Sequence, residues 1–406
     1  MHVQVVVVGG GPIGAVAARC AAEAGASVLL VDRREDLGHS SCCTGLVSPR
    51  TLSTLGVSSG SVLQEIRSIA VHAPDGRRLE LSADQVKGVV IDRPRLEREL
   101  HDLARAAEVD VRLGTEAVSA SNGSVALKSA DGPATVRTSI VIGADGPGSR
   151  AAQWFGLPPP DRFVCAAQAL VEVDRAIPPN RVEVFFGKGV APGFFAWAVP
   201  ESARQLRIGL GASPPSDPSK LLEQLLAVRF PAARVLSRAG GRIPVSIAPR
   251  AAAEGIFLVG DAAGQVKPLS GGGLYPGGTC ARIAGRIAAE AVLSGGSSAR
   301  AAAEYESAWR SAIGREVAFG QSMRRIADTL SDRELSAVLA ACDEPDLLSF
   351  LAERADIDWF HRLPDELAAK PPLWGKVLRL LPLVVHRETA DSAVRSSVAS
   401  VLRASL

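Results

Sequence analysis

Aromatic side chains are scarce in this 406-residue chain, at 11 Phe, 5 Trp and only 2 Tyr. Charge of one sign is missing too. The formal net charge is +2, which gives no electrostatic case for a nucleic-acid partner. No uninterrupted apolar run reaches the roughly 20 residues that a membrane-crossing helix needs. Met1–Val8 carries no basic leader and runs straight into glycines. A secretory signal is therefore not expected, and the expected location is cytoplasmic. Six cysteines (Cys20, Cys42, Cys43, Cys165, Cys280, Cys342) are spread through the chain. Such spacing fits thiols, not a disulfide framework. No four-cysteine spacing for an iron–sulfur site occurs, so a quinone-linked electron carrier is disfavoured and no metal is expected. At 47% apolar and 22% charged residues, the chain is neither disordered nor collagen-like.

What is present begins at once. Val3–Val8 is short, apolar and β-branched, as a strand buried on both faces should be. Gly9-Gly10-Gly11-Pro12-Ile13-Gly14 follows. Ala15–Ala24 reads as an Ala-rich helix ended by Gly25, and Val28–Val31 as a second strand ending in Asp32. Strand, Gly-x-Gly-x-x-Gly, helix, strand and acid together point to a bound dinucleotide. The glycines let backbone N–H groups approach a pyrophosphate at the helix N-terminus. The acid can accept from the ribose hydroxyls. Val141–Arg150 (VIGADGPGSR) and Gly255–Gly264 (GIFLVGDAAG) are two further strands that end in Gly/Asp turns. Either alone would pass for an ordinary strand exit.

In this order, the three motifs resemble the FAD-dependent oxidoreductases of the p-hydroxybenzoate hydroxylase superfamily. The resemblance implies FAD as cofactor. It assigns the ADP half to Gly9, Gly11, Ile13, Gly14, Asp32 and Arg33. Asp145 is placed near the flavin and pyrophosphate, and Asp261 on the ribityl chain. Gly272, Gly273 and Leu274 would close over the flavin. Arg93 would face the phosphates, and the backbone of Ala117, in an expected strand Val111–Val118, the adenine.

Three more stretches resemble the geranylgeranyl reductase family. Gly38–Ser48 (GHSSCCTGLVS) matches a segment with a cysteine beside the flavin. Spacing from Gly38 selects Cys43, followed by Thr44 and Gly45; alignment on Gly45 in a variant one residue longer selects Cys42. Phe194–Pro200 (FFAWAVP) matches an aromatic-x-Trp-x-Phe-Pro signature through Phe195, Trp197 and Pro200, with Val199 in place of Phe. Pro268–Tyr275 (PLSGGGLY) matches the loop over the flavin, and a helix Thr279–Leu293 is expected to follow. The resemblance implies a reductase that saturates C=C bonds of an isoprenoid lipid. The lipid would be an archaeal-type glycerolipid, a polyprenyl quinone or a chlorophyll precursor.

The catalytic candidates are Cys43, Tyr275 and Trp197; Phe195, Trp197 and Pro200 are the substrate-lining candidates. Cys280 is a candidate redox partner for Cys43. The electron donor would be a ferredoxin or NAD(P)H. No second Rossmann unit is visible, since Gly187-x-Gly189 and Gly209-x-Gly211 lack the helix and the acid. The competing function is an FAD-dependent hydroxylase or halogenase on the same scaffold.

The expected fold is α/β, with interleaved segments. A Rossmann-type FAD-binding domain takes residues 1–55, 88–150 and 245–295. An antiparallel β-sheet substrate domain takes 56–87 and 151–244. Residues 296–406 form a C-terminal helical region, whose apolar 371–386 stretch reads first as a core helix and, with Trp374, Lys376 and Arg379, as an amphipathic candidate for peripheral membrane contact. The few aromatics are concentrated: Phe185, Phe186, Phe194, Phe195 and Trp197 fall within the stretch expected to line the lipid cavity.

Overall fold

Four consecutive valines give Val5–Val8 no polar face, and all four are buried. The strand accordingly sits inside a six-stranded sheet with neighbours on both sides. Across the sheet the order is 252–253, 256–258, 140–143, 5–8, 28–31, 110–112. All pairings are parallel except the edge pair Ala252–Ala253 with Ile256–Leu258. The computed structural model describes residues 1–36, 43–174, 178–370 and 372–373. The Gly38–Cys42 part of the cysteine segment lies outside the described residues, as does 371–386 apart from Pro372 and Leu373.

Helix Pro12–Glu23 follows the first strand and packs along helix Leu274–Leu293, where Gly285 lies against the backbone of Ala17 and Ala21. The second helix starts earlier than expected. It begins at Leu274, so Tyr275, Pro276, Gly277 and Gly278 form its first turns instead of a loop. The glycines were misleading because tertiary packing overrides their poor helix propensity: a Cβ at Gly277 would come within 3.0 Å of Ile13, and one at Gly278 within 2.7 Å of Leu55. The expected strand Val111–Val118 is also divided. A turn at Gly114 (φ +63°) separates Asp110–Arg112, in the six-stranded sheet, from Glu116–Ser121, which joins a three-stranded antiparallel sheet with 124–129 and 132–137. Gly88–Ile91 pairs with Leu46–Val47 and Val62–Ile66 in a small sheet of its own.

The largest antiparallel layer has seven strands, in the order 234–244, 163–172, 205–212, 196–200, 181–185, 68–72, 78–82. Only the pair 181–185 with 68–72 is parallel. Alternation sends its side chains to two faces. One face, with Phe185, Ile208 and Leu210, is covered by Leu222, Leu225 and Leu226 of helix Pro218–Arg229. The other carries Val164, Ala166, Phe194, Trp197 and Val199, with Ile66 and Val90. The expected single aromatic cluster is thus split. Phe185 stacks on His72 at 4.4 Å, on the opposite side of the sheet from Trp197.

C-terminal to residue 296 the described chain is helical: Ser298–Thr329, Asp332–Cys342, Pro345–Arg354 and Leu363–Ala368. Ser331 and Glu334 form a complete capping box at the start of the second of these. Among the described residues, no helix is long and apolar enough to cross a membrane.

Candidate active site

Gly9 has φ +107°, and a side chain there would collide with the Ala144 carbonyl. The first glycine motif therefore lies directly on the Ala144-Asp145 turn of the second. Ile13 seats on Gly260 and Gly277, where a Cβ would come within 3.0 Å of it. The third motif and the glycine-loop helix thus meet the first motif at one side chain. Helices Pro12–Glu23 and Leu274–Leu293 both start at a glycine, Gly11 and Gly273, with no side-chain cap. Their first-turn N–H groups are left for an outside acceptor, as an anionic cofactor requires.

Asp32 is buried and accepts the Gly10 N–H at 2.6 Å, and from Arg34 at N (2.8 Å), Nε (3.1 Å) and Nη2 (3.0 Å). Burial works to raise its pKa, but the hydrogen bonds and charge of Arg34 outweigh this and hold the carboxyl below its ordinary value. Arg33, the arginine expected at the cofactor, is exposed; its neighbour Arg34 is the one that reaches inward. Sequence reasoning also missed the partners on helix Arg93–Ala106. Arg93, Glu97 and His101 recur at i, i+4, i+8 beside the apolar Leu96, Leu100 and Ala104. Arg93 Nη2 donates to Glu97 at 2.7 Å, and His101 Nε2 to the Gly10 carbonyl at 2.6 Å. That spacing was the available signal.

Asp145 also organises its own turn. Its carboxylate accepts from Ser149 Oγ (2.6 Å) and from the backbone N–H groups of Arg150 (2.7 Å) and Ala151 (3.1 Å), capping the short helix Arg150–Trp154. Asp261 follows the buried strand Ile256–Leu258. Burial pushes its pKa up to about 6, against the opposing charge of Arg93. A Cβ at Gly273 would lie 3.0 Å from its Oδ1, so the Gly272-Gly273-Leu274 backbone passes over this carboxyl. Gln265 holds the turn, accepting the Gly260 N–H at 2.9 Å and donating to Tyr305 at 2.9 Å. Among the described residues, Arg93 Nε and Ser270 Oγ are buried without a hydrogen-bond partner. A guanidinium, a hydroxyl and two open helix N-termini around a glycine cradle fit the phosphates and ribityl hydroxyls of FAD. Ala117 is buried on strand Glu116–Ser121, just beyond Thr115, whose N–H donates to the Asp32 carbonyl at 2.9 Å.

Cys43, Phe195, Trp197 and Pro200 gather at the seven-stranded sheet. Cys43 is half-buried, and its Sγ accepts the Gly45 N–H at 3.4 Å; Thr44 Oγ1 accepts the Leu46 N–H at 3.2 Å. Gln168 Nε2 and Arg207 Nη1 both donate to the Cys43 carbonyl, at 3.2 and 3.4 Å. Trp197 is almost fully buried, and its single N–H donates to Gln168 Oε1 at 3.2 Å. It sits edge-on to Phe195 at 6.0 Å, and Phe195 stacks on Phe194 at 4.3 Å. Pro200 ends the same strand, paired with Leu206. Tyr275 lies to the side, against Trp359 (5.6 Å, edge-on), with the Arg50 guanidinium 5.9 Å over its ring. Burial and the nearby Asp358 charge raise its pKa, against Arg50, so the phenol keeps its proton at neutral pH. The Cys43–Cys280 redox pair is not formed, and both thiols are free. Cys280 lies fully buried in the main core, where burial pushes its thiol well above the ordinary pKa.

The FAD binding domain family profile matches residues 2–194. A geranylgeranyl bacteriochlorophyll reductase-like protein from Thermoplasma acidophilum superposes at TM-score 0.82 with 23% identity, covering 93% of this chain and 99% of its own. The p-nitrophenol 4-monooxygenase of Pseudomonas putida reaches TM-score 0.66 with 15% identity, covering 86% of this chain and 97% of its own, and shares the fold alone. Fold and cradle together define an FAD-dependent oxidoreductase. The digeranylgeranylglycerophospholipid reductase of Methanothrix thermoacetophila is 34% identical over 366 residues, 86% of this chain and 93% of its own. The chain belongs to the digeranylgeranylglycerophospholipid reductase family.

Proposed function

We propose that this enzyme saturates C=C bonds in geranylgeranyl chains carried by a glycerophospholipid. The observation that carries the reading is the 34% identity to a digeranylgeranylglycerophospholipid reductase over nearly its whole length. The apolar Phe194–Phe195–Trp197 face beside Cys43 supports it. FAD supplies the hydride when bound and reduced. An isolated alkene has no carbonyl to take up charge, so the protein must bring a proton close to the second carbon. The Cys43 thiol is the proposed donor, and the phenol of Tyr275, held protonated by burial, is the other group able to serve. Phe195, Trp197 and Pro200 would wall the site and exclude water. Trp197 acts as wall only, because its N–H is committed to Gln168.

The FAD-binding unit in this reading comprises 1–55, 88–150 and 245–295, with 56–87 and 151–244 as the substrate unit and 296–406 as the C-terminal region. Gly9, Gly11, Ile13, Gly14, Asp32, Cys43, Thr44, Gly45, Arg93, Ala117, Asp145, Asp261, Gly272, Gly273 and Leu274 would contact the cofactor. Electrons would come from a ferredoxin or NAD(P)H, and the lipid from a membrane to which the enzyme binds peripherally. The test is anaerobic: the photoreduced holoprotein is mixed with geranylgeranyl glycerophospholipid vesicles. Flavin reoxidation is expected, with the lipid gaining two hydrogens per double bond. No reoxidation, together with NADPH-dependent oxygen uptake, would overturn the reading in favour of a hydroxylase.

A further inference from the structure

Residues 43–45 belong to no strand, yet their backbone is gripped by two side chains of the seven-stranded sheet. Gln168 comes from strand Phe163–Glu172 and Arg207 from strand Gln205–Ala212, and both are nearly buried. Gln168 can be oriented in only one way. The indole N–H of Trp197 is a donor and must face the amide oxygen, which leaves the amide N–H for the Cys43 carbonyl. Arg207 Nη1 reaches three carbonyls: Cys43 at 3.4 Å, Thr44 at 3.1 Å and Ile91 at 3.4 Å. Its Nη2 is paired with Glu201. The guanidinium lies so close to Gly45 (φ +72°) that a Cβ there would collide with it.

We propose that Gln168 and Arg207 are positioning residues. They clasp the Cys43 carbonyl to the sheet and so aim the thiol at the same apolar face that Trp197 walls. The clasp ties the aromatic wall and the thiol together: the amide that orients Trp197 is the one that holds Cys43. It rests on the reading that Cys43 acts in the reduction. The decisive variant is Gln168→Glu. It keeps an oxygen for Trp197 but replaces the donor at Cys43 with an acceptor, which repels the carbonyl.

Two measurements on the flavin-loaded protein decide the matter. The first is the rate of N-ethylmaleimide labelling at Cys43, resolved by peptide mass spectrometry. The second is turnover with geranylgeranyl glycerophospholipid, in both the wild-type and the Cys43→Ala background. Gln168→Glu is expected to change Cys43 labelling by about fivefold and to lower kcat about tenfold, with KM within about twofold, and to cost nothing further once Cys43 is alanine. Unchanged labelling, or the same kcat loss in both backgrounds, would overturn the clasp. Full activity of Cys43→Ala alongside altered labelling in Gln168→Glu would sink the catalytic role of Cys43 and still support the clasp. If Gln168→Glu does not fold, Arg207→Lys, whose single ammonium cannot span three carbonyls and Glu201, is scored by the same two measurements.

Discussion

Asp261 shows what burial does to one carboxyl. Packed atoms around it make the charged form costly, and its pKa rises to about 6. In the unfolded chain the group returns to its ordinary value of 3.8. Between those values the folded state holds a proton that the unfolded state has lost. The stability Asp261 contributes is therefore full below its unfolded pKa and is lost as pH rises through about 6. Asp261→Asn should thus unfold at a higher temperature than wild type at pH 7.5 in the flavin-free protein, and the gain should vanish near pH 4. Thermal melts across that range check it; a pH-independent difference would refute the assignment. Arg33 and Arg34 make the complementary point. Adjacent residues after a strand diverge: Arg33 stays exposed, while Arg34 turns inward to pair with Asp32 two residues before it and with Glu97 on a distant helix.

Strand Gln205–Ala212 buries seven of its eight residues. Its Gly209-x-Gly211 spacing has nothing to do with nucleotides. A Cβ at Gly209 would lie 2.7 Å from the Trp197 ring, and one at Gly211 2.5 Å from Phe194. The two glycines, one pleat apart, let both rings lie flat on the sheet. Gly209→Ala should overpack this face and cost about 1–3 kcal/mol, with a change in the near-ultraviolet circular dichroism of Trp197. Gly189→Ala is the control, because a Cβ there meets nothing within 4 Å. Equal denaturant midpoints for Gly209→Ala and wild type would refute this packing role.

In the molecule as a whole, the C-terminal helices are tied to the loop before the cofactor-facing helix by the short stretch 356–361. Lys267 donates to the Ile357 carbonyl (2.6 Å) and to Asp358 (2.9 Å), and Asp358 is only 1% exposed. Arg50 pairs with Asp356 at 2.8 Å, Trp359 meets Tyr275, and His361 pairs with Glu316 at 2.8 Å. Asp358→Ala strands a nearly buried ammonium and should cost about 3–5 kcal/mol. The paired change Lys267→Met with Asp358→Leu should recover most of that loss, since neither charge is then left alone. Urea unfolding of the three variants distinguishes this from a surface pair, for which all three would match wild type.

The six-stranded sheet and its cofactor were legible because their signals are local. Four valines can only be a buried strand, a glycine cradle must stand at a helix start, and an acid must close the second strand. Loop and helix boundaries were less legible: Gly277 and Gly278 read as loop residues, yet contact with Ile13 and Leu55 makes them helical. The roles of Gln168 and Arg207 were not legible at all. Each depends on a partner brought from elsewhere by folding, over 125 residues of chain in the case of Gln168 and Cys43. Periodicity and motif spacing report which face a residue presents and which turn it makes. Which carbonyl a buried amide meets is settled only when the sheets stack, because the cost of leaving a buried polar group unpaired is met by whatever the stacking brings within reach.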